Sequence, residues 1–291
     1  ARYLDVITAL AFKYFKRQEA KLVILETGLG GRLDATNTVK SPLISLITSI
    51  GLEHSSILGD SIEKIAAEKA GIIKNNSKLI TAVQDKKALE VIKEKAAAKN
   101  SKFINLDEEY ETIKSEASLR ENHIEIKKAG KKSKSYSLAL KGRHQARNFA
   151  LALRTAAELQ HSFPVSEADI KKAARNIYWP GRMEKIADKP LFLLDAAHNP
   201  AAFKEILSVI RDSISEFKNF HVVFSVLKDK DLTSILDKFS LYSLKPKFYL
   251  AENSSFRTIK LQKLKEQLEK TNFKYESFSN LAAASRSAYN N

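Results

Sequence analysis

The chain contains no cysteine. Disulfide stapling, cysteine metal ligands and cysteine nucleophiles are therefore excluded, and the redox compartment stays open. No apolar run reaches the roughly 18 residues that a membrane helix needs, so no membrane partner is expected. The opening stretch ARYLDVITALAFKYFKR lacks the charged lead and small-residue cleavage site of a secretory signal. Nowhere do two glycines with four residues between them precede Lys and Ser or Thr, so the usual phosphate loop is absent. No G-x-S-x-G elbow occurs either, which removes the Ser/His/Asp hydrolase reading. Acid is scarce relative to base: 34 Asp and Glu stand against 49 Lys and Arg, a formal charge of +15 over 291 residues. Such a surplus attracts anions. ATP and polyanionic small molecules are candidates. Nucleic acid is not expected, because the lysines are spread thinly and the densest cluster, KKAGKKSK at 127–134, reads as a solvated hairpin.

At 44% hydrophobic residues the chain can bury two cores of ordinary size. An amphipathic helix over 5–17, with Val6, Leu10, Ala11 and Tyr14 at helical spacing, opens it. It lacks a starting Met and begins mid-pattern, so a piece of a longer protein is expected. Strands follow at 22–26, 43–50 and 78–83, with helices from Ser61 and over 86–99. Strands alternating with helices of this length imply a parallel sheet covered on its faces. Short strands (HIEIKK, SYSLAL) interrupt the pattern between 103 and 140, and helices 144–159 and 167–178 close the unit. After WPGR at 179–182 the alternation restarts, with strands at 191–197, 220–227 and 247–252 and helices at 200–212, 231–239 and 258–270. The tail SNLAAASRSAYNN reads as a helical stub with no strand after it.

Three strand ends carry chemistry. VILETGLGGRLDATN (23–37) begins as a dinucleotide fingerprint would, but Leu33 stands where the third glycine belongs and no helix follows. Glu26 ends an apolar strand, where a carboxylate is costly unless it is paired, caps an amide or binds a metal. His54, in ITSIGLEHSSILG, follows the next strand. If the two strands are close, Glu26 and His54 suit Mg²⁺ or Mn²⁺ with phosphate oxygens completing the shell. In LLDAAHNPAAF, Asp195 and His198 precede a helix opened by Asn199-Pro200, whose amides can face an anion. Lys69, inside a helix, reads by itself as a solvated lysine paired with a glutamate.

Six segments in order, ETGLGGRLDATN, SIGLEHSSILG, EKAGIIK, GRHQARNFALA, PGRMEKI and LLDAAHNP, resemble the folylpolyglutamate synthases and related dihydrofolate synthases of the Mur ligase superfamily. The resemblance implies an α/β protein. Residues 1–178 would form a partial, parallel-sheet, P-loop NTPase-like ATP/Mg-binding domain without its first strand and phosphate loop. Residues 179–291 would form a smaller Rossmann-like glutamate-ligase domain without its final strand. It implies ATP-dependent addition of L-glutamate to the γ-carboxyl of folate through an acyl phosphate. Dihydrofolate synthase activity, alone or in addition, and an inactive fragment are the alternatives. Residue by residue, it implies metal ligation by Glu26, His54 and Lys69, two Mg²⁺ sites, and a carbamylated Lys69. Lys69 and His198 would serve catalysis, Asn148, Arg182 and Asp195 would contact ATP, and Arg32, Leu33 and Asp34 would lie beside the pterin. The family habit implies a cytoplasmic monomer. Without the phosphate loop, the 291 residues alone are expected not to hydrolyse ATP.

Overall fold

The computed structural model describes residues 3–291. In chain order the elements are α1 (Tyr3–Arg17), β1 (Ser45–Ile47), α2 (Ser55–Leu58), α3 (Ile62–Ala70), β2 (Lys78–Thr81), α4 (Lys86–Ala98) and β3 (Lys102–Asn105). Then come α5 (Leu106–Glu109), β4 (Tyr110–Ala117), β5 (Asn122–Lys128), β6 (Lys134–Leu138), α6 (His144–Leu159) and α7 (Glu167–Asn176). The remainder is β7 (Glu184–Asp188), β8 (Leu191–Leu194), α8 (Pro200–Ser213), β9 (His221–Phe224), α9 (Leu232–Leu241), β10 (Lys247–Leu250), α10 (Leu261–Leu268), β11 (Lys274–Ser277) and α11 (Leu281–Asn290).

The chain divides into two compact units. The first comprises residues 1–113, 126–134 and 147–166; the second comprises 114–125, 135–146 and 167–291.

The first unit holds the parallel sheet β1-β2-β3. Its core packs Ile47, Leu79 and Val83 against Ala66 and Ala70 of α3 and Ala88, Ile92 and Ala96 of α4. The small residues let both helices lie close to the strands and to each other. Ser61 caps α3 by accepting from the Lys64 amide, and Asp85 caps α4 by accepting from the Ala88 amide.

The second unit holds the parallel sheet β9-β10-β11, with β10 in the middle. Phe248 and Leu250 are fully buried beside Phe224, Ile235, Leu236, Phe239, Leu264 and Leu268. Aromatic rings meet edge to face there, Phe239 and Phe248 with centroids 5.2 Å apart. Among the described residues no helix is long and apolar enough to cross a membrane.

Three elements differ from sequence expectation. Residues 22–26 form no strand: β1 lies at the edge of its sheet, and Ile24 is 87% exposed. Apolar residues supply strand propensity, but a strand also needs a partner ladder, and none is present among the described residues. β8 runs antiparallel to β7 instead of joining the parallel sheet. The segment after α10 contains β11, which completes that sheet beside β10. Its sequence, KYES, is too short and polar to announce a strand.

Candidate functional site

In the first unit the glycine turn after Glu26 is a folded loop. Gly30 has φ +65°, a conformation glycine adopts freely, and an added Cβ would come within 2.8 Å of the Leu58 side chain. A Cβ on Gly31 would lie 2.8 Å from the Glu68 carbonyl and 3.0 Å from that of Lys69. The missing side chains thus seat the loop against α2, which begins just after His54, and against the end of α3, which carries Lys69. Arg32 strengthens this seat. Its amide donates to the Glu68 carbonyl at 2.8 Å, and its Nε donates to Glu68 Oε1 at 2.9 Å. Asn37 donates to the carbonyls of Arg32 and Gly71, and Lys74 donates to the carbonyl of Asn37.

Asp34 closes the loop. Its Oδ2 accepts from the amides of Gly28 (2.9 Å) and Leu29 (3.1 Å), and its Oδ1 from the amide (3.0 Å) and hydroxyl (2.7 Å) of Thr36. Burial would raise its pKa, but the Thr36 hydroxyl and the amides of Thr36, Leu29 and Gly28 outweigh it, so the carboxyl sits below its ordinary value. The side chain placed beside the pterin by resemblance is thus the loop's fastening. Leu33 is 70% exposed next to it.

Glu26, His54 and Lys69 have side-chain polar ends with no hydrogen-bond or ion-pair partner among the described residues. His54 sits at the start of α2 with φ 51° and makes no side-chain cap bond. The pairing of Lys69 with a glutamate, the plainer reading of its sequence, is absent among the described residues. Among the described residues no three His, Asp or Glu side chains gather as a cation cage. As donors, a carboxylate and an imidazole would suit a Mg²⁺ ion held mainly by water and phosphate oxygens rather than a closed protein-ligated site.

In the second unit a comparable division appears. Asp195 Oδ2 accepts from the Met183 amide and Oδ1 from the Ala197 amide, both at 2.7 Å. Ala196 donates to the Gly181 carbonyl, and Glu184 accepts from the Gly181 amide at 2.8 Å and from the Tyr178 hydroxyl. These bonds lock the PGRM turn to the end of β8. Arg182 projects from that turn, exposed and without a side-chain partner among the described residues. His198 Nδ1 lies 2.9 Å from the Ala196 carbonyl. A carbonyl only accepts, so Nδ1 carries the proton and a neutral ring keeps its free lone pair on Nε2. Asn199 caps α8 through the Ala202 amide. Asn148 lies in the first turns of α6, in the first unit.

Sequence reasoning missed Glu184, Glu68 and the ion-pair network of Arg154. Arg154 donates to Glu109 (2.7 and 3.1 Å) and to Glu158 (2.7 Å), and Lys78 reaches Glu158 at 2.8 Å. Of these contacts only the Arg154–Glu158 pair, four residues apart on α6, carries a local sequence signal.

The chain matches two families along its length: the Mur ligase middle domain over residues 5–156 and the Mur ligase glutamate ligase domain over 181–291. A dihydrofolate synthase/folylpolyglutamate synthase of Bacillus subtilis is 35% identical over 237 residues, 80% of this chain and 55% of that protein. The folylpolyglutamate synthase of Lacticaseibacillus casei is 30% identical over 236 residues, 80% of this chain and 54% of that protein. The chain thus spans about half the length of these relatives. Among solved structures, folylpolyglutamate synthase from Thermotoga maritima aligns with a TM-score of 0.82 at 29% identity, over 98% of this chain and 64% of that one. The Mycobacterium tuberculosis folylpolyglutamate synthase complexed with ADP and AMPPCP aligns at 0.84 and 27%, over 99% and 65%. With half of its residues inside the middle-domain match and the rest largely inside the second, the chain belongs to the Mur ligase family.

Proposed function

We propose that the protein carrying this chain is an ATP-dependent ligase that joins L-glutamate to the γ-carboxyl of a folate through an acyl phosphate. The observation that carries this reading is the seating of the glycine loop: Gly30 against Leu58 of α2 and Gly31 against the carbonyls of Glu68 and Lys69. It draws together the three segments in which the folylpolyglutamate synthase resemblance places metal ligands, and it leaves Glu26, His54 and Lys69 with free ends.

A carboxylate is a poor electrophile, and phosphorylation gives it a leaving group. Mg²⁺ would screen the repulsion between the two anions that must meet. Glu26 and His54 are its proposed donors. Lys69 supplies cationic charge beside them or, as a carbamate, a further oxygen donor. Arg182 offers a free guanidinium to phosphate oxygens, and Asn148 an amide to the base. His198, with Nδ1 committed to Ala196, presents Nε2 as the base that takes a proton from the incoming ammonium. Asp34 and Asp195 act by holding the loops. Arg32 and Leu33 flank the folate.

A second reading, joining dihydropteroate to glutamate, is favoured by the B. subtilis relative, whose name carries both activities. The test is ADP release by the protein that contains these residues, given ATP and L-glutamate with either tetrahydrofolate or dihydropteroate. Turnover should require one of the two acceptors and disappear in Glu26→Gln. Full activity in that variant refutes the metal assignment, and ADP release that ignores both acceptors refutes the ligase reading.

A further inference from the structure

Arg182 stands between two residues whose backbones are held at both polar groups. Gly181, at φ +68°, donates its amide to Glu184 and accepts from the Ala196 amide. Met183, at φ +45°, donates its amide to Asp195 Oδ2 at 2.7 Å, and its carbonyl accepts from Lys141 Nζ at 3.3 Å. The left-handed conformation is open to glycine, but in a residue with a side chain it costs about 1–2 kcal/mol. Met183 is buried with Ala117, Leu119 and Val209. Burial and two backbone bonds thus hold it in a shape that it would not take by itself.

Glu184, Asp195 and Ala196 belong to the turn's own surroundings, on β7 and just after β8. Lys141 comes from elsewhere, the connection between β6 and α6. It is itself firmly mounted. Asn122 of β5, 1% exposed, donates its side-chain amide to the carbonyls of Leu140 (3.0 Å) and Gly142 (3.1 Å), on either side of Lys141. The Ser115 hydroxyl of β4 donates to Asn122 Oδ1 at 2.6 Å and orients that amide. The Lys141 amine is partly withdrawn from water: burial, then the charge of Lys185, pushes its pKa below the ordinary lysine value. Such withdrawal is costly, and the bond to the Met183 carbonyl offsets it. All of these residues lie in the second unit.

We propose that Lys141 is a positioning residue for nucleotide binding: by holding the Met183 carbonyl, it sets the direction in which Arg182 leaves the turn. The proposal rests on the assignment of Arg182 to nucleotide phosphates made above. Its test is a double-mutant cycle read as ADP affinity by calorimetry, on the protein that contains these residues. Lys141→Met keeps an aliphatic stem, removes the donor and should weaken ADP binding about fivefold. In the Arg182→Ala background the same substitution should change ADP affinity by less than about twofold. Lys141→Arg keeps a donor and should bind ADP nearly as the wild type does. Melting curves identify the variants that fold, and Lys141→Gln repeats the comparison should Lys141→Met fail to. A lysine that only supports the fold would lower the melting midpoint without moving ADP affinity. The proposal is overturned if Lys141→Met binds ADP like the wild type, if it weakens binding equally with and without Arg182, or if Lys141→Arg loses as much as Lys141→Met. If Arg182→Ala itself leaves ADP affinity unchanged, the assignment of Arg182 fails and this proposal falls with it. A loss in Arg182→Ala with none in Lys141→Met keeps that assignment and overturns this proposal alone.

Discussion

Asp34 fastens Gly28: its Oδ2 accepts the Gly28 amide at 2.9 Å across the glycine loop, while its Oδ1 holds Thr36. A carboxylate that resembles a substrate contact in sequence is, in the fold, the clasp that gives the loop its shape. Both oxygens are engaged before any ligand arrives.

Removing that clasp should cost stability. Asp34→Ala leaves the amides of Gly28, Leu29 and Thr36 without their acceptor and should destabilise the chain by about 1–3 kcal/mol, read by urea titration at pH 7. The Asp34 pKa lies below its ordinary value, so its contribution is fully present above the unfolded pKa of about 3.9 and fades as pH falls through the folded one. The gap between wild type and Asp34→Ala should therefore narrow as pH falls below the unfolded value. A gap that persists there would mean the loop is held by other bonds.

The contrast shows which features sequence can carry. Local signals were readable: Ser61 capping α3, Asn199-Pro200 opening α8, and the strand–helix alternation from β1 through α4. These depend on neighbours a few residues away. What escaped depends on distant partners. The apolar run 22–26 has strand composition but no ladder to join among the described residues. Polar β11 is a strand because β10 offers it an edge. The site followed the same rule. Glu26 and His54 could be proposed from residue type and place at a strand end, and Lys69 only from the family resemblance, whereas the binding of Asp195 to the Met183 amide, twelve residues away, could not.

Glu158 makes the strongest acid-sensitive contact. Lys78 holds its carboxylate ionised against the opposing cost of burial, with Arg154 and Lys102 adding to the effect, so its pKa falls to about 2. The stability it supplies is present above the ordinary glutamate range and is lost as pH drops from about 4.5 toward 2. Glu158→Gln should destabilise the chain at pH 7 by roughly 2 kcal/mol, because Arg154 and Lys78 lose a charged partner in a largely buried place. It should also flatten the acid limb of the stability curve. An unchanged acid limb in the variant would assign that limb to other carboxylates.

His221 predicts a second pH response at milder acidity. Its Nδ1 lies 2.9 Å from the Tyr249 hydroxyl, and its Nε2 is buried with no hydrogen-bond partner among the described residues. Burial, then the charge of Lys247, pushes its pKa below the ordinary value. The neutral ring is therefore the stable form, and stability should fall as pH drops below about 6.5, where the unfolded chain takes up the proton first. Melting temperatures at pH 7.5 and 5.5 should differ in the wild type and differ less in His221→Leu. An equal difference in both would place the titrating group elsewhere.

Arg182 and Asp195 separate binding from support in the second unit. The Asp195 carboxylate spends both oxygens on the amides of Met183 and Ala197, whereas the Arg182 guanidinium has no partner among the described residues. Asp195→Ala should therefore destabilise the chain by about 1–2 kcal/mol, lowering the melting midpoint by a few degrees. Arg182→Ala should leave the midpoint unchanged and weaken affinity for ADP in the protein that contains these residues. Asp195→Asn sharpens the comparison. Its amide keeps one acceptor and turns a donor toward an N–H group, so part of the loss should remain although size is conserved. If instead Asp195→Ala melts like the wild type and only nucleotide affinity falls, Asp195 acts as a ligand contact and the PGRM turn is held by its other bonds.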